Sequence, residues 1–146
     1  MIAYLDASVL AKLFLEEHGT EIAREVWESE LPVATARISH TELACALGAA
    51  IRDARLNRGA VREGVVDGTF LWGRAVAVEA NTRVVHIAAR LGMRHKLGAL
   101  DAVHVASVCS LRDLDPVLVS WDARQRQAAV AEGIPVYPEG NTAASR

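Results

Sequence analysis

The sequence has few of the features that stabilise secreted proteins or anchor membrane proteins. Its 146 residues include only two cysteines, Cys45 and Cys109, without the spacing of a metal site or a disulfide framework. We expect both to be small buried side chains in a reducing compartment. No apolar run approaches the roughly 20 residues that a membrane span needs, and no basic segment or cleavage site of a signal peptide follows Met1. The expected location is therefore the cytoplasm, with no membrane attachment.

Aromatic residues and excess charge are also scarce. Aromatics make up 5% of the chain, whereas apolar residues make up 51%, enough to bury a core of mainly Ala, Val and Leu. The formal net charge is −2, which argues against a nucleic-acid binder that relies on a broadly basic surface. An RNA ligand would need local basic stretches, such as 52–62 or the stretch that contains Arg94 and Lys96. Before the acidic residues are considered, each stretch is better explained as a solvated helix face.

Hydrophobic patterning alternates between short strands and helices along the chain. It predicts strands at 2–5, 32–35, 75–78, 116–120 and 134–137. It predicts helices from 8 to the break at Gly19, and at 20–30, 39–56, 60–72, 82–91, 99–111 and 123–131. This alternation is typical of a parallel sheet covered by helices on both faces. The expected organisation is one domain over 1–137, followed by a flexible tail at 138–146.

Four acidic residues lie where predicted helices begin, and each has a local structural explanation. Asp6 and Asp122 follow strands and precede helices, where Asp is a common N-cap. Ser39 and Glu42 have the spacing of a capping box, in which the Glu side chain reaches back to the first amide. Asp101 lies in the first turn of its helix, where a carboxylate complements the helix dipole. Taken singly, each acid is more simply explained by helix capping.

Taken together, the four acids predict an active site. The carboxyl ends of parallel strands and the starts of the helices that follow share one edge of such a sheet, where ligands bind. Two unit charges about 4 Å apart repel by roughly 4 kcal/mol at an effective dielectric of about 20, and a divalent cation offsets this. An all-carboxylate set favours a hard ion, Mg²⁺ or Mn²⁺, over Zn²⁺. The predicted chemistry is phosphate-ester hydrolysis, with metal-binding and catalytic residues Asp6, Glu42, Asp101 and Asp122.

Four segments of the chain resemble the PIN-domain family, and most closely the VapC-type toxins of bacterial toxin–antitoxin pairs. They are 2–10 (IAYLDASVL), 39–43 (SHTEL), 100–106 (LDAVHVA) and 117–122 (VLVSWD), in the family's order and at similar spacing. The resemblance covers nearly the whole chain. It implies a PIN-like three-layer α/β/α sandwich over 1–137, with a mostly parallel five-stranded sheet in the order 3-2-1-4-5.

The same resemblance implies an activity, a cofactor and partners. The activity is metal-dependent endoribonuclease cleavage, and the partners are a second copy of the chain and a small DNA-binding antitoxin of the VapB type. Carried over to these positions, Asp6 and Asp101 are the main metal ligands. Glu42 and Asp122 complete the site, partly through water. The RNA that is cut is not indicated.

Neighbouring residues are given smaller roles. By resemblance, Ser8 and Ser120 hydrogen-bond within the site. His104 lies three residues after Asp101, but a His on an apolar helix is more often a packing residue, so we leave it outside the catalytic set. Three tryptophans are interpreted as core or interface residues rather than base-stacking platforms: Trp27, Trp72 and Trp121.

Two alternative functions stay open, and two other classes fit less well. The chain could be a PIN nuclease that processes RNA outside a toxin–antitoxin pair, or a catalytically weak PIN domain that binds RNA or protein. Aspartyl-phosphate phosphatases also place an Asp after the first strand, but they usually have a second acid two residues later, where this chain has Ser8. A dinucleotide-binding fold is excluded because no Gly-rich turn follows the first strand.

Overall fold

Five short strands form the centre of the molecule, for which a computed structural model describes residues 1–140. The strands are β1 (Ile2–Leu5), β2 (Val33–Ala36), β3 (Ala75–Val78), β4 (Pro116–Val119) and β5 (Val136–Tyr137). They pair in the order β3-β2-β1-β4-β5, and every pair is parallel. The predicted sheet and its strand order are confirmed.

Seven α-helices connect these strands within the described residues. They are α1 (Ala7–Ala11), α2 (Thr20–Glu28), α3 (Ser39–Arg52), α4 (Thr69–Trp72), α5 (Thr82–His95), α6 (Ala99–Cys109) and α7 (Ala123–Ala131). None of the helices formed by residues 1–140 has the length and hydrophobicity needed to cross a membrane.

The central strand β1 is buried on both faces of the sheet. Ala3 and Leu5 belong to a core cluster that includes residues of α1, α2 and α3. Ile2 and Tyr4 point the other way, into a second cluster with residues of α6 and α7. Successive residues of a strand face opposite sides, so β1 holds two helical layers together. This is the predicted three-layer α/β/α arrangement.

The long helix predicted at 60–72 is wrong. Only Thr69–Trp72 forms an α-helix there, after a single 3₁₀ turn at Arg58–Ala60. Gly64 and Gly68 have φ angles of +85° and +84°, a left-handed conformation that interrupts a right-handed helix. A Cβ at Gly68 would also lie 2.7 Å from the indole nitrogen of Trp72. The two glycines therefore turn the chain.

The helix predicted at 82–91 is longer than expected. The sequence predicts an end at Leu91 because Gly92 follows it, but α5 continues to His95 and ends where Lys96 adopts a φ of +54°. A Cβ at Gly92 would lie 3.5 Å from the Cβ of Ala102. This is an ordinary van der Waals distance, so Gly92 lies within α5 as a normal helix residue at its contact with α6. The first helix is shorter than predicted, because α1 ends at Ala11.

Other expectations about burial have mixed outcomes. Cys45 is exposed and Cys109 is only partly buried, so the expectation that both are buried is wrong. Cys45 lies on the outer side of α3, whose buried residues include Leu43 and Leu47. The three tryptophans do pack into or against the core on the α1–α3 side of the sheet. In the predicted tail, the Pro138 carbonyl accepts a hydrogen bond from Arg126, and 141–146 lie outside the described residues.

Candidate active site

Asp6 lies at the carboxyl end of β1, where it is 1% exposed and caps α1. Its Oδ1 accepts hydrogen bonds from the Ser8 hydroxyl at 2.7 Å and the Val9 amide at 2.9 Å. Its Oδ2 accepts one from the Ser120 hydroxyl at 2.5 Å. Three donors therefore fix the orientation of this buried carboxylate. Ser8 and Ser120 thus both hydrogen-bond Asp6, and their role in an active site stays a prediction.

Asp122 is held beside this carboxylate because β4 is the neighbour of β1. Leu5 pairs with Val119 in the sheet, so the residues that follow the two strands meet at one edge. The Asp122 amide donates to the Ser120 hydroxyl oxygen at 3.1 Å. The Asp122 carboxylate accepts from the Gln125 amide at 2.8 Å and caps α7. The local explanation of Asp122 as a cap is correct, and it does not conflict with a place in the site.

Asp101 lies in the first turn of α6 and is joined to Asp122 by Gln125. The Gln125 side-chain nitrogen donates to Asp101 Oδ1 at 2.9 Å. Because a carboxylate only accepts, the amide must turn its nitrogen toward Asp101. Gln125 is 5% exposed, and its Oε1 has no hydrogen-bond partner among the described residues.

Three of the four acids are thus connected by a continuous series of hydrogen bonds. The series runs from Asp6 through Ser120 and Asp122 to Gln125 and Asp101. It crosses from β1 to β4 and then to the starts of α7 and α6. Sequence analysis did not identify Gln125, because its position after Asp122 is that of an ordinary helix residue.

Glu42 occupies a different place from the one that a capping box predicts. Helix α3 begins at Ser39 without a side-chain cap, and the Ser39 hydroxyl lies 2.7 Å from the hydroxyl of Thr35. Glu42 Oε1 instead lies 2.9 Å from His104 Nε2. The capping-box explanation is therefore wrong. Glu42 extends from α3 to α6, the helix that carries Asp101.

His104, which was left outside the catalytic set, connects Glu42 to the central strand. It is 1% exposed, and its Nδ1 lies 2.9 Å from the Tyr4 hydroxyl. Burial raises the pKa of Tyr4 well above its usual range, so the phenol stays protonated. The signal in the sequence was the position of His104, one helical turn after Asp101. We interpreted His104 as a packing residue instead.

The donor atoms suit a hard cation, although the acids do not converge on one point. Within residues 1–140, no three His, Cys, Asp or Glu side chains lie close enough together to hold an ion. Mg²⁺ is usually bound by one or two carboxylates and keeps several waters, so converging ligands are not required. Carboxylate oxygens and the unpartnered Gln125 Oε1 fit such an ion. They do not fit Zn²⁺, which is usually bound by nitrogen or sulfur.

The two proposed RNA contacts differ in their surroundings. Arg94 donates to Glu132 Oε1 at 3.0 Å, and His95 lies 2.8 Å from the same oxygen. These bonds lower the pKa of Glu132, the contact with His95 having the larger effect. Lys96 lies just before Gly98, the N-cap of α6, and therefore close in sequence to the Asp101 turn. Both RNA contacts stay predictions.

Comparison with known proteins identifies relatives by sequence and by fold. Residues 3–131 match the family model described as PIN domain. Ribonuclease VapC49 of Mycobacterium tuberculosis (strain ATCC 25618 / H37Rv) is 31% identical over 137 residues, covering 94% of this chain and 95% of the relative. VapBC2 from Rickettsia felis, solved bound to a DNA fragment from its promoter, has a TM-score of 0.62 at 11% identity, covering 93% of this chain and 97% of that one. FitAcB from Neisseria gonorrhoeae has a TM-score of 0.59 at 19% identity, covering 94% and 97%.

Proposed function

Because the chain belongs to the PIN-domain family, we propose that it is an endoribonuclease and the toxin of a toxin–antitoxin pair. The observation that carries the proposal is the hydrogen-bond series from Asp6 to Asp101. It lies at the carboxyl edge of the parallel sheet, where ligands bind in such folds. The 31% identity to a VapC ribonuclease over 94% of this chain supports RNA as the substrate. The cytoplasm is the location we propose for this activity.

The proposed cofactor is Mg²⁺ or Mn²⁺. Asp6 and Asp101 would hold the ion directly, and Glu42 and Asp122 would contribute partly through water. When bound, the ion supplies positive charge that polarises the phosphodiester. Ser8, together with Ser120 on the other carboxylate oxygen, holds Asp6 in one orientation. Glu42 and Asp122, acting through water, would orient the water molecule and accept a proton from it.

The proposed partner is an antitoxin of the VapB type that places an Arg or Lys among these acids. A guanidinium can bind two carboxylate oxygens at once and would compete with a cation for them. The test replaces each basic residue in the C-terminal region of the partner and measures inhibition at several metal concentrations. If no single replacement weakens inhibition and added metal never competes, the antitoxin works by another route.

Homodimerisation is the second proposed assembly, and an apolar surface on α5 and α6 supports it. Val85 and Met93 are 46% and 89% exposed, and Leu100 is 53% exposed. They lie on or beside a shallow groove between the two helices. Light scattering during gel filtration measures the oligomeric state. A dimer that becomes a monomer when Met93→Glu is introduced supports the proposal, and a wild-type monomer at micromolar concentration contradicts it.

A catalytically weak PIN domain, which would bind RNA or protein without cutting RNA, is the alternative to a nuclease. The experiment that separates the two functions is cleavage of a mixed RNA substrate with and without Mg²⁺ or Mn²⁺, using wild type and Asp6→Asn. Metal-dependent cleavage by wild type alone supports a nuclease. RNA binding without cleavage at any metal concentration supports the alternative.

A further inference from the structure

Two hydrogen bonds join Glu42 to the central strand through one histidine. Tyr4 Oη and His104 Nδ1 are 2.9 Å apart, and His104 Nε2 and Glu42 Oε1 are also 2.9 Å apart. We call this set of three residues the histidine bridge. It links β1, α6 and α3, three elements that are distant in the sequence.

We propose that His104 is a positioning residue, which acts through the histidine bridge to fix the Glu42 carboxylate at the candidate active site. The proposal rests on the proposed ribonuclease function and assigns that function a residue outside the four acids. The hydrogen bonds of His104 are to Tyr4 and Glu42, so the proposed role requires no contact with substrate or ion. Its effect on cleavage passes through Glu42.

The chemistry of the three side chains determines which atom donates in each hydrogen bond of the histidine bridge. A carboxylate accepts hydrogen bonds and does not donate them, so His104 Nε2 carries the proton that faces Glu42. In a neutral imidazole the other nitrogen is then an acceptor. The Tyr4 phenol, which like any ordinary phenol is protonated at neutral pH and lies 2.9 Å from Nδ1, is the donor that Nδ1 requires. Tyr4 thereby selects the tautomer that binds Glu42.

The histidine bridge is buried at Tyr4 and His104 and partly exposed at Glu42. Tyr4 is 0% exposed and His104 is 1% exposed, and their rings meet edge to face with centroids 6.0 Å apart. The Glu42 side chain is 23% exposed. His104 binds one carboxylate oxygen, Oε1, so Oε2 is left to contact water, an ion or substrate. The bond to His104 restrains the side-chain torsions of Glu42.

The position of His104 on α6 couples two of the predicted acids. His104 lies one helical turn after Asp101, so a single rigid helix holds Asp101 directly and Glu42 through the imidazole. Loss of a side chain that orients a metal ligand typically reduces metal affinity or activity by about 10- to 100-fold. We expect a loss of this size when His104 no longer donates to Glu42.

The activity test compares two replacements of His104. His104→Leu removes both hydrogen bonds, whereas His104→Gln keeps an amide that can donate to Glu42. We expect cleavage to fall by about 10- to 100-fold in His104→Leu and to be largely restored in His104→Gln. Tyr4→Phe removes the bond to Nδ1 and leaves the imidazole in place, and one hydrogen bond corresponds to a loss of about two- to tenfold. His40→Leu is the matched control, since His40 lies on α3 two residues before Glu42 but its Nε2 contacts the carbonyls of Val65 and Val66.

A measurement without metal or RNA tests the bridge itself. Long-range ¹H–¹⁵N spectra of the metal-free protein at neutral pH report which imidazole nitrogen carries the proton. The bridge requires the Nε2–H tautomer for His104, and Tyr4→Phe should weaken that preference. A proton on Nδ1 of a neutral ring would overturn the proposal, because Nε2 could not then donate to Glu42. This readout applies even if His104→Leu does not fold.

Failure of this inference is distinguishable from failure of the proposed function. Glu42→Gln should lose cleavage in the same assay. If Glu42→Gln is inactive but folded His104→Leu cleaves like wild type, the positioning role of His104 is wrong and the nuclease stands. If His104→Gln is folded and as inactive as His104→Leu, donation to Glu42 is not what His104 supplies. If wild type itself cleaves no RNA, the proposed function is wrong.

Discussion

The Ser120 hydroxyl donates a 2.5 Å hydrogen bond to Oδ2 of Asp6, a residue 114 positions earlier in the chain. The two meet because β4 lies beside β1 in the sheet. The same hydroxyl oxygen accepts from the Asp122 amide at 3.1 Å. Ser120 therefore orients the Asp6 carboxylate and the start of the Asp122 turn together.

Removal of this hydroxyl should affect both stability and activity. In Ser120→Ala the buried Asp6 oxygen and the Asp122 amide each lose a partner, and an unsatisfied buried group costs about 1–3 kcal/mol. We expect urea denaturation to show a loss of this size and cleavage to fall by about 10- to 100-fold. Ser110→Ala, which removes a hydroxyl bonded to the Ser107 carbonyl, is the control. Unchanged cleavage by folded Ser120→Ala would contradict the role of Ser120.

Asp101→Asn should fold normally and lose most nuclease activity. The amide keeps the shape of the side chain and still offers an oxygen to Gln125, whereas the charge that would bind a cation is gone. Loss of a favourable interaction with the helix dipole costs only about 0.3–1 kcal/mol. Thermal melts and RNA cleavage measure the two effects separately. Asp113→Asn, at an exposed acid outside the candidate site, is the control, and near-wild-type cleavage by Asp101→Asn would refute the catalytic assignment.

Mg²⁺ or Mn²⁺ should raise the melting temperature, and Asp6→Asn should abolish the rise. A ligand that binds only the folded protein stabilises it by about 2.7 kcal/mol at a hundredfold excess over its dissociation constant. For a chain of this size that corresponds to about 5–10 °C. Differential scanning calorimetry at increasing metal concentration measures the shift. Asp53→Asn, at an exposed acid, should keep it, and an equal shift in wild type and Asp6→Asn would rule out Asp6 as a ligand.

Features that depend on neighbouring residues were predicted well from the sequence. The strand at Ile2–Leu5 and the helix at Ala123–Ala131 have the predicted bounds, because a short apolar run and a cap-to-glycine pattern are local signals. Asp6 and Asp122 were placed correctly for the same reason, since each follows a strand directly. The order of the sheet came from the family resemblance.

Features that depend on contacts between distant elements were missed. The bond from Gln125 to Asp101 joins α7 to α6, and nothing near Gln125 in the sequence indicates it. Glu42 has capping-box spacing after Ser39, yet it contacts His104, 62 positions away. The local pattern gave the wrong partner because a buried imidazole competes with the helix amide for the carboxylate.

Glu132→Gln should lower stability at neutral pH, and the difference from wild type should shrink on acidification. Hydrogen bonds from His95 and Arg94 lower the pKa of the Glu132 carboxyl in the folded protein. A group with a lowered folded-state pKa contributes stability above its unfolded-state pKa, which is lost as the pH falls through the folded-state value. Since an unfolded Glu titrates at about pH 4.3, the loss should occur mainly below about pH 5.

The measurement is the free energy of unfolding in urea from about pH 7 to about pH 3. A Glu side chain becomes protonated within this range and changes that free energy. The wild-type curve should fall more steeply than the Glu132→Gln curve, and the two should approach each other at the acid end. Glu28→Gln, at an exposed acid of α2, should leave the wild-type slope unchanged. A gap between wild type and Glu132→Gln that stays constant or widens on acidification would show that the contacts with His95 and Arg94 do not favour the charged carboxylate.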